Sequence, residues 1–218
     1  MSQIPLEFQL SELEARVLGV MMEKQVTVPD SYPMTVNSVR LGSNQKNSRF
    51  PITEYSEKDI AVTLERLGDR RLVTIVREYN ARAPKYSQLL TRELKLEPQH
   101  TAILSVLMLR GPQTPGELRG RAEAMFKFSG LEHAEQVLNQ LCEWIPDPLA
   151  VKLEKLPGER DARFVHLLTD PEVQREARPA QAAGASPSGG TLERVEALEA
   201  EVRSLRERIQ RLEGRTES

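Results

Sequence analysis

The residues with the clearest chemical potential lie between Thr35 and Phe50. There Asn37, Arg40, Asn44, Gln45, Lys46, Asn47 and Arg49 follow Tyr32 and Pro33 with no acid among them. Side-chain amides and guanidinium groups can hydrogen-bond to base edges, and lysine and arginine neutralise phosphates. A second basic window, Arg66 to Tyr86, holds Arg66, Arg70, Arg71, Arg77, Arg82 and Lys85 against Asp69 and Glu78. The DNA-contact set drawn from these windows is Arg40, Asn44, Gln45, Lys46, Arg49, Arg66, Arg70, Arg77, Arg82 and Lys85. A structural alternative stands beside it with equal weight: Asn44 and Asn47 cap a helix, while Lys46 and Arg49 face solvent or pair with Glu54 and Glu57.

Nucleophilic, metal and cofactor chemistry have less to draw on. His100, His133 and His166 fall in different predicted elements without metal-ligand spacing, and no phosphate-cradling G-x-x-x-x-G-K or G-x-G-x-x-G is present. Cys142 stands near Trp144 with no histidine partner implied, so it reads as a half-buried small apolar residue. The expectation is a non-enzymatic protein with no catalytic residue, no metal and no cofactor.

The elements that must carry the basic residues are legible from caps and periodicity. Ser11 and Glu14 form a capping box ahead of Leu13, Val17, Leu18 and Met21 at helical spacing. A second helix is expected from Thr35 to about Lys46. Pro51 makes Phe50 extended, and Ser56 with Asp59 opens a third helix carrying Ile60, Leu64 and Leu67. The β-branched run Leu72–Arg77 reads as a strand that turns near residues 79–82 and returns over Lys85–Leu89. The same order recurs. A helix over Glu97–Arg110, with Ile103, Leu104, Leu107 and Met108 as its core face, stops at Gly111-Pro112; Thr114-Pro115-Gly116-Glu117 starts the next, which runs to about Met125, and Ser129 or Gly130 precedes a third. Strands then follow over Leu149–Glu154 and Arg163–Leu168. Three helices and a hairpin, twice, predict a mainly α (α+β) chain of two tandem winged helix-turn-helix domains, residues 1–92 and 93–172.

The repeats differ in charge. Expected helix three of the first repeat, the usual reader in this arrangement, mixes Lys58, Arg66 and Arg70 with Glu57, Asp59, Glu65 and Asp69. The connection before it, about residues 47–55, is longer than a tight DNA-reading turn. In the second repeat helix three carries Glu132 and Glu135, with Glu143 at its end, which suits a protein contact or a spacer.

The whole chain bounds these readings. It has 218 residues and a net charge of −2, from 30 Lys+Arg against 32 Asp+Glu, so no bulk basic excess marks it as DNA-binding. No apolar run approaches the ~18 residues of a membrane span. The first ten residues lack the basic and apolar regions of a secretory signal, so a cytoplasmic protein without membrane contact is expected.

Several motifs resemble the YceH family of bacterial proteins. They are Glu23-Lys24 with Thr27, Pro29, Asp30 and Tyr32-Pro33; Asn44-Gln45-Lys46 with Asn47 and Arg49 to Pro51; Lys85-Tyr86; and the run Leu109 to Arg119. The similarity spans about Leu10 to Leu168. It implies two winged helices and a coil-like C-terminal helix, and no established activity or catalytic residue. The leading expectation is a dimeric winged-helix DNA-binding protein acting as a transcriptional regulator on double-stranded DNA. The alternative is a protein-interaction adaptor, a ScpB-like assembly module.

A Pro-, Gly-, Ala- and Ser-rich linker over residues 173–190 leads to a heptad helix over 191–214. Val195, Val202 and Ile209 take its a positions and Leu198, Leu205 and Leu212 its d positions, a pattern favouring a parallel pair. Arg194, Glu201 and Arg208 at g face Glu199, Arg206 and Glu213 at the partner's e, all attractive. The alternative is an amphipathic helix packing on its own domain. Deleting residues 191–218 should turn a dimer into a monomer by light scattering. An unchanged mass would remove the coil as the dimer contact.

Overall fold

Local capping explains where most helices begin. In the computed structural model, which describes residues 9–77 and 83–170, Ser11 accepts from the Glu14 N–H and Glu14 accepts from the Ser11 N–H, opening α1 (Glu12–Thr27). A 3-10 turn over Pro29–Ser31 follows, then Thr35 caps α2 (Val36–Ser43) and a Ser56–Asp59 capping box opens α3 (Glu57–Asp69). Strands β1 (Val73–Val76) and β2 (Lys85–Gln88) pair antiparallel, from Val73 opposite Gln88 to Val76 opposite Lys85. A short α4 (Leu90–Glu93), unforeseen in the sequence, leads to α5 (Pro98–Arg110). Thr114 and Glu117 form a third capping box for α6 (Pro115–Ala122), and Gly130 precedes α7 (Leu131–Cys142). Strands β3 (Ala150–Lys152) and β4 (Phe164–His166) form a second antiparallel hairpin. The described residues thus make a mixed α/β protein of seven α-helices and two small hairpins.

Two helices end earlier than expected. α2 stops at Ser43 rather than near Lys46, because the Asn44 side chain bonds to Tyr55 instead of continuing the turn. α6 stops at Ala122 rather than Met125. Gly111 ends α5 at φ +67°, a left-handed backbone that suits glycine.

Each hairpin gains a third edge in the same way. Met34, two residues before α2, exchanges both backbone hydrogen bonds with Tyr86 of β2, at 3.0 and 2.8 Å. Gln113, two residues before α6, does the same with Phe164 of β4, at 3.1 and 2.8 Å. The Tyr32 hydroxyl accepts the Gln88 N–H at 2.7 Å and so ties the entry to α2 to the first hairpin.

The halves share one core. α1 is buried from Ala15 through Met22 and α5 from His100 through Leu109, on every face, because the two helices pack against each other and each is covered again by its own half. Such all-round burial weakens the amphipathic stripe that a surface helix shows. The predicted inward residues Val17, Leu18 and Met21 meet this core, as do Ile103, Leu104 and Leu107, while Leu13 packs at its margin. The expected linker and heptad helix, with Val195, Leu198, Val202, Leu205, Ile209 and Leu212, lie outside the described residues.

Close approach of α1 and α2 depends on Gly42, where an added Cβ would stand 2.6 Å from Val20 Cγ1. Valine has little rotamer freedom in a helix with which to yield. Gly42→Ala should therefore cost about 1–3 kcal/mol in urea unfolding, whereas an unchanged midpoint would mean the two helices part freely.

Candidate nucleic-acid interface

The α2–α3 loop, residues 44–56, is held from beneath by two arginines. Arg16 of α1 is buried, and its guanidinium donates to the carbonyls of Ser43 at 3.1 Å and Pro51 at 2.8 Å. Arg49 has a side chain 0% exposed; Nε donates to Gly42 O at 2.9 Å, and Nη1 to Ser48 O at 2.9 Å. Its two terminal nitrogens grip Glu23 of α1 in a fork, at 2.8 and 3.3 Å. Thr53 adds a hydroxyl bond to Ser43 O, and the Asn44 amide brackets Tyr55 by donating to its carbonyl and accepting its N–H, both at 2.9 Å. Phe50 donates its N–H to Leu109 O of α5 at 2.8 Å. The loop is thereby bonded to α1, α2 and α5.

Glu23 is the acid of this arrangement. Burial alone would raise its pKa, but the hydrogen bonds and charge of Arg49, and then Lys24, outweigh burial and hold the carboxyl below its ordinary value. Burial chiefly lowers the pKa of Arg16, and its carbonyl partners satisfy the guanidinium donors that burial removes from water.

The predicted contact residues divide by their surroundings. Arg49 faces inward to Glu23, so it offers no group to a phosphate, and the expected partners Glu54 and Glu57 do not receive it. Asn44 is occupied by Tyr55. Arg70 donates to Glu14 at 3.1 Å and to Gln9 O at 2.9 Å. Arg40 is half-buried and donates through Nε and Nη2 to Asn37 Oδ1. Gln45 and Lys46 in the loop after α2, Arg66 on α3 and Arg77 after β1 are exposed, while Lys85 is half-buried in β2. Val76 pairs with Lys85, so Arg77 and Lys85 sit at the same end of the hairpin. Arg82 lies outside the described residues. The same surface also exposes apolar groups: Ile52 in the loop (63%), Val62 on α3 (38%) and Ile75 on β1 (49%).

Sequence reasoning missed Arg16, Glu23 and Arg110 as organising charges. One signal was available for Arg16: it interrupts a wholly apolar stretch, Ala15 then Val17-Leu18-Gly19-Val20-Met21-Met22. The crevice beside Arg16, lined by Glu12, Pro51, Tyr55, Gly111 and Thr169 among others, measures about 60 Å³, far below the ~300–1,000 Å³ of a small-molecule pocket. Burial pushes the Cys142 thiol up to about 11, with Glu143 adding to it, and burial drops His166 to about 3. Neither is ionised near neutral pH. Among the described residues no three His, Cys, Asp or Glu gather as metal ligands, and no helix is long and apolar enough to cross a membrane.

These features define a mixed α/β protein whose polar interior organises a loop and whose candidate contacts lie on its surface. The chain matches the family described as a protein of unknown function, DUF480, over residues 10–159. It is 40% identical over 214 residues to a UPF0502 protein of Citrobacter koseri, covering 95% of this chain and 97% of that protein. A UPF0502 protein of Enterobacter sp. (strain 638) is 38% identical over 211 residues, with coverage of 95% and 97%. The chain belongs to this uncharacterised DUF480/UPF0502 family, in keeping with its resemblance to the YceH proteins.

Removing the acid from the loop anchor should be costly. Glu23→Gln leaves the buried Arg49 charge without its counter-ion and should lower stability by about 3 kcal/mol in chemical unfolding. Because the folded pKa of Glu23 is depressed, its stabilisation is full above the unfolded value of about 4.3 and declines as pH falls through the folded pKa. The gap between wild type and variant should therefore be constant from pH 5 to 7 and narrow in more acid solution, in both cases at about those values. A gap that widens on acidification would contradict this assignment.

Proposed function

We propose that the chain is a non-enzymatic binding protein built from two winged helices, and that its first half binds duplex DNA. The observation that carries this reading is the repeated architecture: α1-α2-α3-β1-β2 and α5-α6-α7-β3-β4 each close their hairpin with one extra bridge from the segment before the second helix. That is the element order of a winged helix, a fold that commonly docks on DNA through its third helix and its hairpin. Fold alone does not fix function, so the charge placement matters. Gln45, Lys46, Arg66 and Arg77 are exposed on the loop, third helix and hairpin of the first half. Lys46 and Arg77 are the phosphate contacts, and Arg49 is their internal support. The heptad helix would join two copies and match a two-fold DNA site.

A second reading, a ScpB-like protein adaptor, is favoured by one specific feature. Val62 and Ile75 are exposed on the third helix and hairpin, beside the acids Glu57, Glu65 and Asp69, which repel phosphate. Exposed apolar groups of this kind suit a protein partner.

Salt separates the two. Full-length protein titrated on duplex DNA should lose affinity steeply between 50 and 200 mM salt, by about 10³ if six phosphates are engaged. Lys46→Ala with Arg77→Ala should weaken binding at least about tenfold and reduce the log–log salt slope by about 2. No duplex affinity at ~50 mM salt, a condition that favours phosphate contacts, would remove the DNA reading and leave the adaptor.

A further inference from the structure

Where α5 ends, the protein gathers more positive charge than its acids balance. The Phe50–Leu109 backbone bond sets Arg49 beside Arg110, the last residue of α5. On one side Arg49 and Lys24 share Glu23, with nitrogen–oxygen distances of 2.8 and 2.7 Å. On the other, Gly111 O accepts from Gln113 Nε2 at 3.2 Å, and Gln113 Oε1 accepts from Arg121 Nη1 at 2.7 Å. Arg121 and Arg163 share Glu117, at 3.5 and 2.7 Å, and Arg163 also reaches Glu159 at 3.3 Å.

Among the described residues, five cations (Lys24, Arg49, Arg110, Arg121, Arg163) thus stand with three carboxylates (Glu23, Glu117, Glu159), an excess of two positive charges. Four of the five have an acid within 4.0 Å. Arg110 has none, and its half-buried guanidinium makes no hydrogen bond among the described residues. Burial lowers its pKa, Arg121 and Arg49 lower it further, and Glu23 alone opposes them. A guanidinium held among like charges, without a protein acceptor among the described residues, is an environment that an oxyanion relieves. Phosphate matches its planar fork with two acceptor oxygens and carries the charge that is lacking.

We propose that Arg110 and Arg121 grip the phosphate group of a small phosphorylated ligand, with Arg49, fixed by Glu23, as standing positive charge behind them. The site is separate from Lys46 and Arg77, so it holds or fails independently of the DNA reading.

Inorganic phosphate and then pyrophosphate are titrated into the full-length protein by calorimetry, in chloride buffer of constant ionic strength. Saturable binding is expected. Arg110→Gln should weaken it at least about tenfold, the loss of one charge-assisted fork, and Arg121→Gln should weaken it as well. Arg92→Gln, which alters an exposed pair with Glu93, should leave it unchanged, as should Lys46→Ala with Arg77→Ala. Arg110→Gln should melt no lower than wild type in phosphate-free buffer, because it removes like-charge contacts and no hydrogen bond among the described residues; this separates lost binding from lost folding. The absence of saturable binding by either anion up to ~10 mM, the weak end of specific affinity, overturns the proposal. So does equal binding by Arg110→Gln and wild type. The same variants on duplex DNA identify the source of the phosphate. Unchanged duplex affinity assigns the site to a free ligand. A loss on duplex DNA without anion binding overturns the small-ligand assignment in favour of the DNA backbone.

Discussion

Two guanidinium groups under a loop are the constraint on which the candidate surface depends. Residues 44–56 must cross from α2 to α3 without secondary structure of their own, and a buried carbonyl left without a donor costs about 1–3 kcal/mol. Arg16 supplies donors to Ser43 and Pro51, and Arg49 supplies them to Gly42 and Ser48. Arginine suits this task because it presents five donors on one rigid plane and stays charged. Its own charge then needs an answer, which Glu23 provides for Arg49. A buried pair of this kind adds little net stability over an apolar replacement, yet removing one member is costly. It therefore specifies where the loop lies more than how tightly the protein folds. The exposed Gln45, Lys46 and Ile52 are presented by that geometry.

This division between covered and presented groups marks what the sequence could reveal. Helix starts were legible because capping is local: Ser11 with Glu14, Ser56 with Asp59 and Thr114 with Glu117 each act across three residues. The hairpins were legible from β-branched runs and alternation. The inward faces of α1 and α5 were legible only in part, since both helices are buried all round and no single stripe identifies their partner. The ends of α2 and α6 were overestimated, at α2 because Asn44 answers a residue eleven positions away. Long-range pairing also hid the role of Arg49. In sequence it is one basic residue in an acid-free window; in the fold it meets Glu23, 26 positions earlier. Composition can locate a basic window but cannot say which of its charges the protein consumes internally.

The architecture is duplicated while the surfaces diverge. The bridges at Met34 and Gln113 and the caps at Thr35 and Thr114 correspond, so both halves solve the same backbone problem. Their third helices do not carry the same chemistry. α3 exposes Lys58 and Arg66 among its acids, whereas α7 has acids and no Lys or Arg. The second half also lends α5 as the packing partner of α1, and Leu109 O of α5 anchors the loop at Phe50. Its contribution to the first half's surface is thus mechanical: it supports the loop from behind.

A near-neutral chain can still bind an anion, because the field at a site depends on local imbalance more than on net charge. At the end of α5 that imbalance arises from sharing. One carboxylate, Glu23, serves Lys24 and Arg49, and another, Glu117, serves Arg121 and Arg163. Shared acids hold cations in place without neutralising each of them, so the arginines remain ordered and the field remains positive. Arg110 enters this field at the point where Gly111 turns the chain toward α6, and among the described residues no acid forms an ion pair with it. Arg49 and Glu23, which fix the α2–α3 loop, both act on Arg110, and in opposite directions.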